Sequence, residues 1–238
     1  MPHPTSIDRD GSLVGYWRDR LVTHLSDYYA GIRLSKFPED LRVYEHLLFA
    51  QKPEVVVEIG CQFGASSLWF ADRLDTIARY GGPAGGAVIA IDIDVRPARE
   101  ALASVDPDYA RRITLVEGDV TDPGLARRVA ELVGGRTNVF VIEDSAHTYE
   151  TTSAALAGFA GLVAAGGFLI VEDGVVDDEE LRLSDDWPRG VRRAIDEFLA
   201  SPSGAEFECL PELEMYGLTA HPGGFLRRQD RGGPAGDR

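Results

Sequence analysis

The chain has little lysine, little cysteine and no long apolar run. Only Lys36 and Lys52 supply ammonium groups, and the rest of the positive charge is arginine. Acids outnumber basic residues 39 to 24, for a formal net charge of −15. So little positive charge argues against a phosphate-tracking nucleic-acid footprint and against binding to an anionic membrane surface. Cys61 and Cys209 have no framework spacing, so free thiols in a reducing compartment are expected. No apolar stretch approaches about 18 uninterrupted residues, so no membrane-spanning helix is expected. The start, Met1-Pro2-His3-Pro4, lacks the basic and apolar regions of a signal peptide, which makes the cytoplasm the expected location. The histidines at 3, 24, 46, 147 and 221 are scattered and do not form a two-histidine, one-carboxylate iron pattern.

What is present is alternation. With 238 residues the chain suits one α/β domain, expected over 1–228. Spaced apolar positions predict a helix over 12–30, a loop over 31–38 and a second helix from Pro38 or Glu39 to Gln51. Short apolar runs at 54–59, 87–92, 112–116, 138–143 and 167–172 predict strands. Helical patterns at 65–79, 97–103, 123–134 and 149–164 lie between them. This predicts a single doubly wound, mostly parallel sheet, Rossmann-like, whose Val55-Val56-Val57 type runs are buried on both faces. A last helix is expected over 190–200, antiparallel edge strands within 205–228 and a disordered tail over 229–238. The apolar N-terminal helices suggest either a subunit interface, hence a homo-oligomer, or a lid.

Three acids stand at the ends of two apolar strands. One strand ends Val141-Ile142-Glu143-Asp144-Ser145-Ala146-His147 and the other Leu169-Ile170-Val171-Glu172-Asp173. Asp144 and Glu172 are 28 positions apart, which brings neighbouring strand ends together across a helix. Converging carboxylates repel unless a cation neutralises them, so Asp144, Glu172 and Asp173 are candidate ligands for a hard divalent metal such as Mg²⁺. Asp177 and Asp178 are a rival pair. Glu143 either supports the cluster from behind or faces solvent.

The first strand runs into Glu58-Ile59-Gly60-Cys61-Gln62-Phe63-Gly64-Ala65-Ser66-Ser67. Gly60 and Gly64 provide a tight turn and close approach to a ligand at a helix N-terminus. Gln62 breaks the dinucleotide fingerprint, which argues against a nicotinamide oxidoreductase. The second strand ends at Asp92, placed to accept ribose hydroxyls. After the third strand, Asp119 and Val120 could edge an adenine. Glu58, Gly60, Gln62, Gly64, Ser66, Asp92, Asp119, Val120 and Asp144 are thus the candidate cofactor contacts.

Together these segments resemble class I S-adenosylmethionine (SAM) methyltransferases, and most closely the cephalosporin hydroxylase-like family that includes rhamnosyl O-methyltransferases. The resemblance also takes in Tyr29-Ala30-Gly31-Ile32, Lys36-Phe37-Pro38-Glu39-Asp40-Leu41, Ile91-Asp92-Ile93-Asp94-Val95-Arg96-Pro97 and Asp144-Ser145-Ala146-His147-Thr148-Tyr149, and covers about residues 28–228. It implies SAM- and Mg²⁺-dependent methyl transfer to a hydroxyl of a small natural-product acceptor, such as the sugar of a glycoside or a polyketide. The metal-dependent catechol enzymes, which the 28-residue spacing also resembles, carry a lysine base three residues after their first ligand. His147 holds that place and is the candidate base, with Asp144 beside it. Tyr149 is a candidate for orienting the acceptor. Trp187 and Pro188 either wall its pocket or pack the core. N-methylation and a SAM-binding accessory role in tailoring are the alternative functions.

Overall fold

The computed structural model describes residues 12–182 and 184–230. The expected tail therefore lies almost wholly outside the described residues. Helix α1 (Leu13–His24) is followed by a two-stranded hairpin, β1 (Asp27–Tyr29) and β2 (Ile32–Leu34), and then by α2 (Pro38–Gln51). The alternating part comprises β3 (Val55–Ile59), α3 (Ala65–Arg79), β4 (Ala87–Asp92), α4 (Arg96–Val105), β5 (Ile113–Glu117), α5 (Pro123–Val133), β6 (Val139–Glu143), α6 (Tyr149–Phe159) and β7 (Phe168–Val171). It ends with α7 (Val191–Leu199), β8 (Phe207–Cys209) and β9 (Phe225–Arg228).

The hairpin departs from the expected helix over 12–30 and loop over 31–38. Tyr28 and Tyr29 continue the apolar period of α1, but Ala30 and Gly31 both take positive φ, +50° and +86°. Two such residues in succession make the tight turn that joins twisted antiparallel strands. Helix α6 is shorter than expected, because its last turn tightens into a 3₁₀ segment at Ala160–Leu162.

The seven-stranded sheet has the order β5-β4-β3-β6-β7-β9-β8. Strands β3 to β7 are parallel, and β9 and β8 join antiparallel at one edge. The expected doubly wound α/β sheet with antiparallel C-terminal edge strands is the observed one. All five residues of β3 and of β6 are buried. One apolar layer packs α2, α3 and α4 on one face of the sheet, and a second packs α5, α6 and α7 on the other. The winding reverses between β3 and β6, where Ile59 pairs with Glu143. The crevice of an open parallel sheet lies at such a reversal. A smaller apolar cluster ties Leu21 and Phe37 to Val175, Leu181 and Leu218, which sets α1 over this end of the sheet. Among the described residues no helix is long and apolar enough to cross a membrane.

Candidate active site

At the reversal the ends of β3 and β6 approach backbone to backbone. The Asp144 N–H donates to the Ile59 carbonyl at 2.7 Å. Gly60 follows at φ +92°, and a Cβ placed there would lie 1.9 Å from the Asp144 carbonyl oxygen. Only glycine fits this crossing. Gln62 turns left-handed at φ +46°, and its N–H donates to Asp92 Oδ2 at 2.8 Å. Asp92 therefore braces the glycine turn from the neighbouring strand.

A cavity of about 410 Å³ opens above these strand ends, a size that suits a small-molecule site. Gly60, Gln62, Asp92, Ile93, Asp119 and Val120 line it, together with Asp144, His147 and Asp173, whose ligand atoms meet at its wall. Ser66 borders an adjoining niche, together with Arg33, Ser35 and Lys36. Two of the expected cofactor contacts lie elsewhere. Glu58 is fully buried and accepts a short hydrogen bond from the Ser67 hydroxyl. Gly64 packs against Leu102 at the start of α3. These two shape the turn from beneath.

The acid cluster already contains a cation. Lys36 Nζ donates to Asp144 Oδ2 at 2.8 Å and to the Glu172 oxygens at 2.6 and 2.7 Å. The Lys36 and Glu172 side chains are each only 2% exposed. Burial works against the Lys36 ammonium, but Asp144, Glu172 and Glu58 outweigh it and hold the group charged well above the usual lysine range. Burial likewise works against the Glu172 carboxylate, but Lys36 and then His221 hold it below its ordinary value. Asp144 is pushed up by burial and by the Glu172 charge. Breaking such a buried pair by removing one partner typically costs about 3–5 kcal/mol.

Glu172 is saturated from behind as well. The Tyr44 hydroxyl donates to its Oε1 at 2.6 Å. His221 Nδ1 accepts the Asp173 N–H at 3.0 Å, which leaves the Nε2 proton for the Tyr44 hydroxyl oxygen at 3.2 Å, with Asp40 Oδ2 at 3.4 Å. That bond secures the turn at Asp173, where φ is +58°. Ligand atoms of Asp144, His147 and Asp173 all lie within 4.8 Å of one another at the cavity wall, and His147 Nε2 is 3.3 Å from Asp173 Oδ2. A second such group, Glu172, Asp173 and His221, lies deeper. His147 is itself left-handed at φ +57°. Two non-glycine residues in this conformation cost free energy that the surrounding packing must offset, and such residues cluster at functional sites.

Other residues singled out from sequence have different surroundings. Asp177 caps α7, accepting the N–H groups of Gly190 and Arg192 at 2.6 and 2.8 Å, and Asp178 accepts from Glu180 N. Glu143 is buried and accepts from the Ser145 hydroxyl and N–H, closing the turn after β6. The Tyr149 hydroxyl donates to Glu197 on α7, and Thr151 lines the cavity in its stead. Trp187 packs against the second core layer. Sequence reading missed Lys36, Tyr44 and His221 as partners of the acids, and His24, Arg33 and Ser35 as lining. Lysine's rarity in this chain was the available signal for Lys36.

The donor set suits a hard divalent cation, with carboxylate oxygens at a wall of the cavity and an imidazole beside them. With all three acids ionised, the single Lys36 charge leaves the cluster at a formal −2.

The family model for Rhamnosyl O-methyltransferase/CmcI matches residues 22–229. Rhamnosyl O-methyltransferase of Mycobacterium tuberculosis (strain ATCC 25618 / H37Rv) is 30% identical over 205 residues, which cover 84% of this chain and 77% of that protein. The Mycobacterium leprae (strain TN) protein of the same name is 27% identical over 208 residues, 84% of this chain and 82% of that one. Among solved structures, cmcI with Mg-SAM shares 22% identity, covers 96% of this chain and 90% of its own, and has a TM-score of 0.59. An O-methyltransferase from Bacillus cereus in complex with SAH shares 20% identity over 73% of each chain, with a TM-score of 0.54. At these identities the structural likeness is one of fold.

Proposed function

This chain belongs to the rhamnosyl O-methyltransferase/CmcI family, and from that premise we propose that it is a SAM- and divalent-metal-dependent O-methyltransferase of a small natural-product hydroxyl, such as the sugar of a glycoside. The observation that carries the proposal is the meeting of Asp144, His147 and Asp173 in a cavity that Asp92 and Val120 also line.

SAM supplies an electrophilic methyl group, and a bound Mg²⁺ supplies charge that lowers the pKa of an acceptor hydroxyl. Asp92, which braces Gln62, would accept the ribose hydroxyls of bound SAM. Ile93 and Val120 would flank the adenine, and Asp119, Gly60, Gln62 and Ser66 would complete the cofactor wall. Asp144 and Asp173 would hold the metal, with Glu172, bonded to Lys36, behind them as the third acid. His147 is the imidazole placed at the cavity wall to take the acceptor proton. Holding the hydroxyl in line with the methyl group supplies most of the remaining rate.

The acceptor is a small molecule rather than nucleic acid or a membrane, consistent with the net charge of −15. The same reading has the enzyme cytoplasmic and homo-oligomeric, with Leu13, Val22 and Phe49 among the exposed apolar residues available for contacts.

Methyl transfer from SAM to a panel of rhamnosides, catechols and polyketides, with and without Mg²⁺, tests the proposal. Transfer to a hydroxyl, abolished by chelator and by Asp144→Ala while S-adenosylhomocysteine binding persists, is the expected result. Transfer that survives both treatments would refute the metal role.

A further inference from the structure

Interiors rarely hold an ammonium group, and this one is specific in its placement. Lys36 reaches Asp144 and both oxygens of Glu172 from a segment that precedes the nucleotide fold. Glu172 also receives the Tyr44 hydroxyl, so its inner face has no need of a second cation. The cavity-facing acids, Asp144 and Asp173, keep ligand atoms turned toward His147. We propose that Lys36 is the resident counter-ion of the acid cluster: it occupies the inner cation seat between Asp144 and Glu172, keeps the cluster folded before metal arrives and restrains divalent-metal affinity by lowering the cluster's charge from −3 to −2.

The physical reason is direct. Two or three carboxylates brought together without a cation repel across a poorly screened interior. An enzyme neutralised only by Mg²⁺ would lose its site whenever the metal left. A covalently attached ammonium prevents that loss. It also repels any second cation at the same acids, so the divalent ion binds less tightly and exchanges more readily. The inference rests on the divalent-metal reading of these acids, and the following test separates the two.

The test uses the full chain and Mn²⁺ as the probe, measured by calorimetry and by thermal melting without any acceptor. Lys36→Met should bind Mn²⁺ about tenfold more tightly or better, because one full repelling charge is removed from a buried site. Without metal its melting temperature should fall, and MnCl₂ should restore it far more than it stabilises the parent protein. Lys36→Arg keeps the charge and should hold its Mn²⁺ affinity within about threefold of the parent. Equal or weaker Mn²⁺ binding by Lys36→Met would overturn the inference and leave the metal reading standing. No Mn²⁺ binding by either protein would overturn both. If Lys36→Met fails to fold without metal, refolding in MnCl₂ but not in NaCl of matched ionic strength is the expected result, and failure of that rescue overturns the inference.

Discussion

Replacing Gly60 with alanine tests how tightly the reversal of the sheet couples the cofactor turn to the acid cluster. An alanine Cβ at this position would lie 1.9 Å from the Asp144 carbonyl oxygen, 2.5 Å from its carbon and 3.0 Å from the Ser145 Cα. Real contacts of this kind are not found below 3.0 Å, so the Asp144 backbone would have to retreat by at least 1.1 Å, the difference between 3.0 and 1.9. It is poorly able to do so, because its own N–H is bonded to Ile59 at 2.7 Å. The backbone at φ +92° adds about 1–3 kcal/mol for any side chain. At about 2–4 °C per kcal/mol for a domain of this size, the melting temperature should drop by roughly 2–12 °C from conformation alone. A displacement near 1 Å at Asp144 should also lower turnover about a hundredfold. Differential scanning calorimetry and S-adenosylhomocysteine titration provide the measurements. A Gly60→Ala protein that melts and binds like the parent would refute the claim that this crossing is steric.

Asp92 separates a ribose contact from a mere turn brace. Asp92→Ala should weaken S-adenosylhomocysteine binding by about tenfold to a hundredfold for each charge-assisted bond lost, with Asp92→Asn intermediate; affinity within twofold of the parent would leave only the brace to Gln62. Tyr29 gives a signature at alkaline pH. Burial and its bond to Asp72 raise the phenol to about 12. Because the folded value lies above the unfolded one, its contribution is full below about pH 10 and is lost as pH rises toward 12. The stability gap between the parent and Tyr29→Phe should therefore narrow over that range, and a gap that is constant with pH would contradict the assignment.

The parallel sheet was legible because strands buried on both faces appear in sequence as Val and Ile runs, as at 55–57 and 139–142. The glycine turn and Asp92 were legible because backbone geometry dictates them locally. The hairpin at Asp27–Leu34 was not, since two tyrosines at helical spacing look the same whether they cover a helix or a strand. Asp177 was read as a possible ligand because its capping of α7 needs residues 190 and 192, which no local pattern supplies. Lys36 was visible as a rare residue, but nothing near position 36 announces partners at 144 and 172. Charge balance could be reasoned from sequence as a demand for some cation. Which part of that cation is lysine could only be read in three dimensions.

That separation has a consequence in time. Lys36 and its two acids are 108 and 136 positions apart. At typical synthesis rates of about 5–20 residues per second, roughly 7–27 s pass between the emergence of the lysine and that of Glu172. Until then the hairpin and α2 have no partner for a charge that the finished interior demands. Lys36 must stay hydrated until the strands that carry its acids are made. The acid cluster cannot close before β7 is made, and a nascent or truncated chain lacking β7 should have no assembled acid cluster.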